Sequence, residues 1–248
     1  MRTVRFRADG SVRTGRWTAA GIEYRNQVYD PGSLDLLAPV ESSRVVGIGL
    51  NHPDVLEDTD RYDPPSDTSD LLLFLKPSTT LVRDGETATL PATGGLQYEA
   101  ELGAVIGQRC RNVDPGEATA AIAGYTCVND ITAYDVPDVE LTGIRAQGID
   151  DSTPVGPVVA PAADVPEDAS IELRVDGETV TSARRSEYRF SAAEVIAEVT
   201  NYLTLWPGDI VSLGTSAGYG NPEAGDGVTV DIEGIGTLTT AVSVDRRE

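Results

Sequence analysis

Residues 96–130 read LQYEAELGAVIGQRCRNVDPGEATAAIAGYTCVND and carry the pattern that predicts the fold. Glu99 and Glu101 precede an uninterrupted, weakly polar run, Leu102 to Gly107, that is typical of a buried strand. Side chains at positions i and i+2 of a strand point to one face, so an extended Glu99-Ala100-Glu101 would direct both carboxylates into one space. Desolvating a carboxylate costs on the order of several kcal/mol unless a partner compensates. We therefore expect a cation here, although a strand end that reaches solvent would also explain the pair.

The same stretch continues into a helix and a second strand. Asp114 is a predicted N-cap, followed by Pro115 at the first helical position and Glu117 at the third, which favours a helix through residues 118–123. The apolar residues 125–128 then predict a strand that carries Asp130 to its end.

Two further apolar runs end on polar residues that occur once each in the chain. The strand predicted over residues 45–50 delivers Asn51 and His52, the only histidine, and a second buried strand over residues 71–75 stops at Lys76. Lys76 is the only lysine among 19 basic residues, and an ammonium and a guanidinium are not interchangeable, so a specific need for the ammonium is one interpretation and chance survival the other. Between these strands, residues 53–70 are polar and form either a plain surface loop or a lid.

Strand patterns outnumber helix patterns in the rest of the chain, which predicts a mainly β fold with some α structure (α+β). We expect a small N-terminal β-rich segment over residues 1–44 and a catalytic domain over residues 45–248. Hairpin signals are the pattern found in the N-terminal segment. The second part shows a strand at 154–160, a hairpin around Asp176-Gly177, a helix after the Ser191/Glu194 capping box, a strand at 210–213, a glycine-rich loop at 214–220 and strand-like residues 227–244.

Composition excludes several classes of function. The formal charge of −21 and the pI near 4.3 argue against a nucleic-acid partner, and a charge this large is tolerated mainly where salt screens it, which favours a halophilic cytoplasm. Cys110 and Cys127 lack the C-x-x-C spacing of zinc or redox motifs. No apolar stretch reaches the roughly 18 residues of a membrane span, so we expect a cytoplasmic protein without a membrane partner.

Three carboxylates that follow strand ends, Glu99, Glu101 and Asp130, suggest a metal site. Oxygen ligands without histidine or thiolate suit Mg²⁺ or Mn²⁺ and disfavour zinc. A substrate that chelates through neighbouring oxygens, such as a 2-oxo acid or a β-diketone, would fit the remaining coordination positions.

Seven segments together resemble the fumarylacetoacetate hydrolase superfamily, in order and spacing, from about Val45 to Val242. They read VGIGLN, LFLKPSTTL, YEAELGAVIG, AGYTCVNDIT, PVGPVV, WPGDIVSLGTSAGYG and IEGIGTL. The resemblance implies a mixed β-roll catalytic domain, usually a homodimer, that holds Mg²⁺ (or Mn²⁺) on the residues matching Glu99, Glu101 and Asp130. It also implies an active-site role for Lys76 and contacts to the substrate from Thr215, and we expect Asn51 and Gly214 to bind the substrate as well.

The chain departs from the family's pattern at the residues that activate water. Where the family has Tyr-x-x-His-x-x-Glu, this chain has His52, Val55 and Asp58. An imidazole oriented by a carboxylate can serve as a general base, so His52 with Asp54, Glu57 or Asp58 is a possible replacement, and a solvated lid histidine is the alternative.

The residues that anchor the substrate also differ. Gln147 stands at the family's second lysine, with Arg145 as a potential substitute, and Tyr134 stands where the family has an arginine. Substrate anchoring has therefore been rebuilt or lost.

The resulting prediction is a Mg²⁺-dependent hydrolase that cleaves a carbon–carbon bond in a 2-oxo or 1,3-dicarbonyl acid. A decarboxylase, an isomerase or a 2-keto-3-deoxy acid dehydratase of the same superfamily is the alternative, because those reactions need only metal and enolate stabilisation. Two other interpretations stay open: an enzyme that uses Lys76 as a Schiff-base nucleophile, which the nearby acids disfavour, and a non-catalytic binding homologue.

Overall fold

The computed structural model describes residues 1–41, 44–57, 66–92, 95–134, 143–216, 218–220 and 223–245. Strands predominate in these ranges and helices are few and short, which confirms the mainly β prediction. The helices are α1 Pro53–Glu57, α2 Pro115–Ala121, α3 Ile144–Gln147 and α4 Ala192–Tyr202, with 3-10 turns at Pro31–Ser33, Thr68–Asp70, Ser78–Thr80, Ala162–Asp164 and Arg185–Glu187. The strands are β1 Thr3–Ala8, β2 Ser11–Thr18, β3 Gly21–Tyr24, β4 Gln27–Tyr29, β5 Asp35–Leu37, β6 Arg44–Gly49, β7 Leu72–Pro77, β8 Leu81–Arg83, β9 Thr87–Pro91, β10 Leu96–Tyr98, β11 Ala100–Ile106, β12 Ile122–Asn129, β13 Thr132–Ala133, β14 Thr153–Ala160, β15 Ser170–Val175, β16 Glu178–Arg184, β17 Ile210–Ser212, β18 Tyr219–Gly220, β19 Gly227–Ile232 and β20 Gly236–Asp245.

A long sheet organises the molecule, in the order β4-β3-β2-β1-β14-β12-β11-β17-β6-β7, with β5 and β8 paired to β1 and β14. Smaller sheets have the orders β13-β10-β18 and β16-β15-β19-β20-β9. The N-terminal hairpins join the long sheet where β1 pairs with β14 at Thr3 and Val159. The division at residues 44 and 45 stays a prediction.

Strand β11 lies between β12 and β17, and every one of its residues is buried. Leu102, Ala104 and Ile106 pack into the larger apolar core, whereas Val105 packs into a smaller cluster on the other face with Val128 and neighbouring residues. A strand covered on both faces reads as a continuous apolar run, which is why the sequence alone identified it. Glu101 shares its face of β11 with Val105, so the carboxylate lies beyond the end of the smaller cluster.

The local signals at the helix ends and at the hairpin are confirmed. Asp114 and Ser191 both form capping boxes, with Glu117 and Glu194, and the capped helices are α2 and α4. Helix α2 ends at Ala121, before the predicted end, because β12 begins at Ile122. The turn at residues 176–177 joins β15 to β16.

The prediction that residues 71–75 form a buried strand is half wrong. Residues 72–75 lie in strand β7, but Leu72, Leu73 and Leu75 are 40%, 39% and 47% exposed, because β7 is the last strand of the long sheet. The polar segment that precedes this strand begins with helix α1, and its residues 58–65, including the candidate Asp58, lie outside the described residues. Among the described helices, none is long and apolar enough to cross a membrane.

Candidate active site

Glu99, Glu101 and Asp130 meet at one point, and all three are buried. One carboxylate oxygen from each lies within 4.8 Å of the others. Glu99 joins β10 to β11, Glu101 is the second residue of β11, and Asp130 directly follows β12. Because β11 and β12 are antiparallel and Ala100 pairs with Asn129, the beginning of one strand lies beside the end of the other.

Backbone and amide groups fix the positions of these carboxylates. The Glu99 N–H donates to Asn129 Oδ1 at 3.1 Å, and the Asp130 N–H donates to the Glu99 carbonyl at 2.8 Å. The Gly214 N–H donates to Glu101 Oε2 at 3.0 Å. Gly214 has a φ of 100°, which a residue with a side chain rarely adopts, so glycine is what brings this N–H to the carboxylate.

Lys76 is fully buried beside the acidic cluster. Its Nζ lies 2.6 Å from Asp130 Oδ1 and donates to the Ile131 carbonyl at 3.3 Å and to Gln147 Oε1 at 3.0 Å. An ammonium has three N–H groups, so these acceptors engage all of them. Lys76 thus provides a fixed positive charge at the cluster.

Thr132 and Tyr134 both contact Glu99: sequence reasoning missed Thr132 and noted Tyr134 only because it stands where the family has an arginine. The Tyr134 hydroxyl donates to Glu99 Oε1 at 2.5 Å. The Thr132 hydroxyl lies 3.2 Å from Glu99 Oε2, 3.4 Å from Asp130 Oδ1 and 3.2 Å from Gln147 Oε1. Thr132 could have been found from its spacing, because it is two residues beyond Asp130, the same spacing that separates Glu99 from Glu101.

The electrostatics of the cluster match a divalent cation. Burial, followed by the charge of Asp130, raises the pKa of Glu99 to about 7 and raises the pKa of Glu101 well above its ordinary value. Asp130 Oδ2 is buried and has no hydrogen-bond partner among the described residues. Three carboxylates against the single charge of Lys76 leave a formal excess of two negative charges, and oxygen-only ligands suit a hard cation. The residues therefore fit a divalent metal ion.

His52 lies in the interior, which makes the alternative of a solvated lid histidine wrong: it is 2% exposed. Its Nδ1 accepts a hydrogen bond from the Asp54 N–H at 3.3 Å, and its Nε2 lies 3.6 Å from Glu187 Oε2. The imidazole also meets the Tyr188 ring edge-on, with centroids 6.2 Å apart, and the Tyr188 hydroxyl donates to the Gly214 carbonyl at 2.8 Å. Glu187 and Tyr188 were missed because no local pattern connects them to residue 52.

The predicted substrate-binding residues differ in what they do in the structure. The Asn51 side chain binds the backbone of Leu213 and Phe190, with Nδ2 2.9 Å from the Leu213 carbonyl and Oδ1 3.0 Å from the Phe190 N–H. Thr215 is buried in the loop that follows β17, Gln147 contacts Lys76 and Thr132, and Arg145 is exposed on α3. Their roles toward a substrate stay predictions.

Comparison with known proteins identifies the family. The protein-family model described as "Fumarylacetoacetate (FAA) hydrolase C-terminal" matches residues 44–243 of this chain. The chain belongs to the fumarylacetoacetate hydrolase family. Among solved structures, it is similar to the 5-carboxymethyl-2-hydroxymuconate delta-isomerase of Mycobacterium smegmatis, with 30% identity, a TM-score of 0.87 and 100% of both chains covered.

Two further members of the family show the range of activities. The 4-hydroxyphenylacetate degradation bifunctional isomerase/decarboxylase of Escherichia coli is 32% identical over 208 residues, which cover 82% of this chain and 48% of that protein. The fumarylacetoacetate hydrolase of Exiguobacterium antarcticum is 26% identical, with a TM-score of 0.83 and coverage of 99% of this chain and 100% of that one. Members of the family are thus isomerases, decarboxylases and hydrolases, and this chain is an enzyme of that family.

Proposed function

We propose that this chain is a Mg²⁺-dependent enzyme that converts a 2-oxo or 1,3-dicarbonyl acid through an enolate, with isomerisation or decarboxylation as the outcome. The observation that carries the proposal is the buried all-carboxylate cluster with Lys76 beside it. Mg²⁺ or Mn²⁺ is the expected ion, because zinc and softer metals favour histidine and thiolate ligands. When bound, the ion supplies Lewis-acid neutralisation of negative charge on substrate oxygens.

The chain's own residues fill the other requirements of enolate chemistry. Glu99, Glu101 and Asp130 would hold the ion, and Lys76 adds a fixed positive charge beside them. All three Lys76 N–H groups have acceptors, so forming a Schiff base would require breaking these bonds and removing a proton. Lys76 therefore acts through its charge in this proposal and not as a nucleophile.

The position of His52 favours isomerisation or decarboxylation over hydrolysis. Hydrolysis needs a base that reaches a water molecule, and His52, the only histidine of the chain, is enclosed between Tyr188 and the Glu187 carboxylate. The named relatives from E. coli and M. smegmatis are isomerases or decarboxylases. Hydrolysis of a carbon–carbon bond is the second candidate, and it is supported by the similarity to the Exiguobacterium hydrolase.

Proton exchange at carbon 3 of 2-oxo acids tests the proposal without knowledge of the natural substrate. The Mg²⁺-loaded protein is incubated in D₂O with oxaloacetate and a panel of acylpyruvates, and loss of the C3–H signal is followed by ¹H NMR. We expect exchange faster than in a protein-free control with the same Mg²⁺ for at least one acid, no such acceleration with Glu101→Gln, and normal acceleration with the control Glu198→Gln on α4. Acceleration that persists in Glu101→Gln, or after the divalent ion is removed with EDTA, would refute the proposal.

Product analysis then separates the remaining possibilities. Release of CO₂ or appearance of an isomer supports the proposal, whereas two carboxylic acid fragments would identify the hydrolase. A substrate adduct trapped by borohydride at Lys76 would identify Schiff-base chemistry. Ligand-dependent stabilisation without turnover of any acid would identify a binding protein.

We propose a homodimer as the working form, with the exposed end of the long sheet as the contact surface. Leu73 and Leu75 point to the same face of strand β7, opposite to Lys76, and are 39% and 47% exposed. Sheet ends that expose large apolar side chains are normally covered, because they otherwise promote aggregation. A second copy of the chain would cover them.

The proposed location is a salt-rich cytoplasm. The charge of −21 causes repulsion over the whole surface, and concentrated salt screens exposed charges beyond about 3 Å at 1 M.

A further inference from the structure

Tyr134 reaches from the surface to a buried carboxylate. The residue is 55% exposed, whereas Glu99 is buried, and the tyrosine hydroxyl donates to Glu99 Oε1 at 2.5 Å. Hydrogen bonds to an ionised acceptor are among the stronger ones in proteins and set the orientation of the acceptor.

The neighbouring donors are shared among several acceptors. The Thr132 hydroxyl has one proton and faces carboxylate or amide oxygens of Glu99, Asp130 and Gln147. The Lys76 N–H groups are engaged by Asp130, Gln147 and a backbone carbonyl. Among the described residues, Tyr134 is therefore the side-chain donor whose proton is directed to Glu99 alone.

The two oxygens of Glu99 consequently have different surroundings. Oε1 receives the Tyr134 bond, whereas Oε2 lies 3.2 Å from the same Thr132 hydroxyl that is 3.4 Å from Asp130 Oδ1. Oε2 therefore shares the Thr132 hydroxyl with Asp130, a second carboxylate of the cluster, whereas Oε1 faces Tyr134.

We propose that Tyr134 is a positioning residue of the metal centre: its hydroxyl holds Oε1 of Glu99, and this keeps Oε2 directed to the ion. The inference rests on the proposed function, because it assumes that the cluster holds a divalent cation. A phenol orients the carboxylate without adding a positive charge that would compete with the ion. Outer partners of metal ligands typically change metal affinity by about 10-fold to 100-fold when they are removed.

The test compares Mn²⁺ binding by Tyr134→Phe and by a matched control. Tyr202 is 61% exposed, and its hydroxyl donates to Glu198 Oε1 at 2.9 Å on α4, so Tyr202→Phe removes the same kind of bond elsewhere. Mn²⁺ is titrated into the metal-free proteins, and the free ion is measured by its EPR signal. We expect Tyr134→Phe to raise the Kd about 10-fold or more and to change the EPR line shape of bound Mn²⁺. Tyr202→Phe should match the wild type in both.

A second variant separates the hydrogen bond from the packing of the ring. Tyr134→Ser carries a hydroxyl that is too short to reach Glu99, so it should lose the same affinity as Tyr134→Phe. Wild-type Kd in Tyr134→Phe, or a loss in Tyr134→Ser alone, would overturn the inference and leave the proposed function intact. A wild-type protein that binds no Mn²⁺ would overturn both. Unfolding midpoints of the metal-free proteins show whether each variant folds.

Discussion

Removing divalent cations should make the stability of this protein fall as the pH rises. Burial raises the pKa of Glu99 to about 7 from its ordinary 4.5, so between these values the folded state binds a proton that the unfolded state has released. The contribution of Glu99 is therefore fully present below about pH 4.5 and is lost as the pH rises through about 7. Glu101, whose pKa is also raised, acts in the same direction.

The size of the effect follows from the pKa of Glu99. A difference of about 2.5 pH units, at about 1.36 kcal/mol per unit, corresponds to a loss of about 3 kcal/mol of unfolding free energy between about pH 4 and pH 8. Mg²⁺ should reverse the loss, because the ion binds the deprotonated carboxylates and only in the folded state.

Urea denaturation with EDTA, at several pH values and constant high KCl, measures this loss. Glu99→Gln is the matched control, because it keeps the shape of the side chain and removes its titration. Relative to the metal-free wild type, Glu99→Gln should gain about 3 kcal/mol or more between about pH 4 and pH 8, because it removes the titration of Glu99 and also the charge that helps to raise the pKa of Glu101. A pH-independent difference between the two proteins would refute the reasoning.

Three further predictions concern Lys76, the proposed dimer contact and the dependence of stability on salt. Lys76→Met should lower the unfolding free energy by about 3–5 kcal/mol in urea denaturation, because it leaves the buried Asp130 charge without its partner. The same variant should lose turnover while it still binds Mn²⁺. An unchanged unfolding free energy would contradict the buried ion pair. Leu73→Glu together with Leu75→Glu should convert the dimer into a monomer, as measured by light scattering. Val28→Glu, at a 56% exposed position on β4, should leave the dimer intact. A monomeric wild type would contradict the proposed contact. The thermal midpoint should rise with KCl, and a maximum in dilute buffer would argue against adaptation to salt.

The part of the site that the sequence predicts is the part encoded locally. Glu99 directly precedes a strand buried on both faces and Glu101 lies within it, and their spacing of two residues predicts that both carboxylates point to one side, where the structure brings them together. The capping boxes of α2 and α4 are likewise formed by residues three positions apart. Such signals need no knowledge of the sheet order.

The features that the sequence did not predict depend on contacts between distant segments. The leucines of β7 read as a buried strand, and only the sheet order shows that this strand has a neighbour on one side. Glu187 and Tyr188 approach His52 from a 3-10 turn more than a hundred residues away. The sequence identified Tyr134 only as the residue that stands where the family has an arginine, whereas in the structure its hydroxyl donates to the Glu99 carboxylate.

The central claim is that Glu99, Glu101 and Asp130 hold a divalent cation, and anomalous X-ray diffraction from crystals soaked in Mn²⁺ tests it most directly. We predict a single strong anomalous peak within coordination distance, about 2.0–2.3 Å, of one oxygen from each of the three carboxylates. The peak should disappear in Glu101→Gln crystals. A strong peak elsewhere, or no peak at saturating Mn²⁺, would contradict the account.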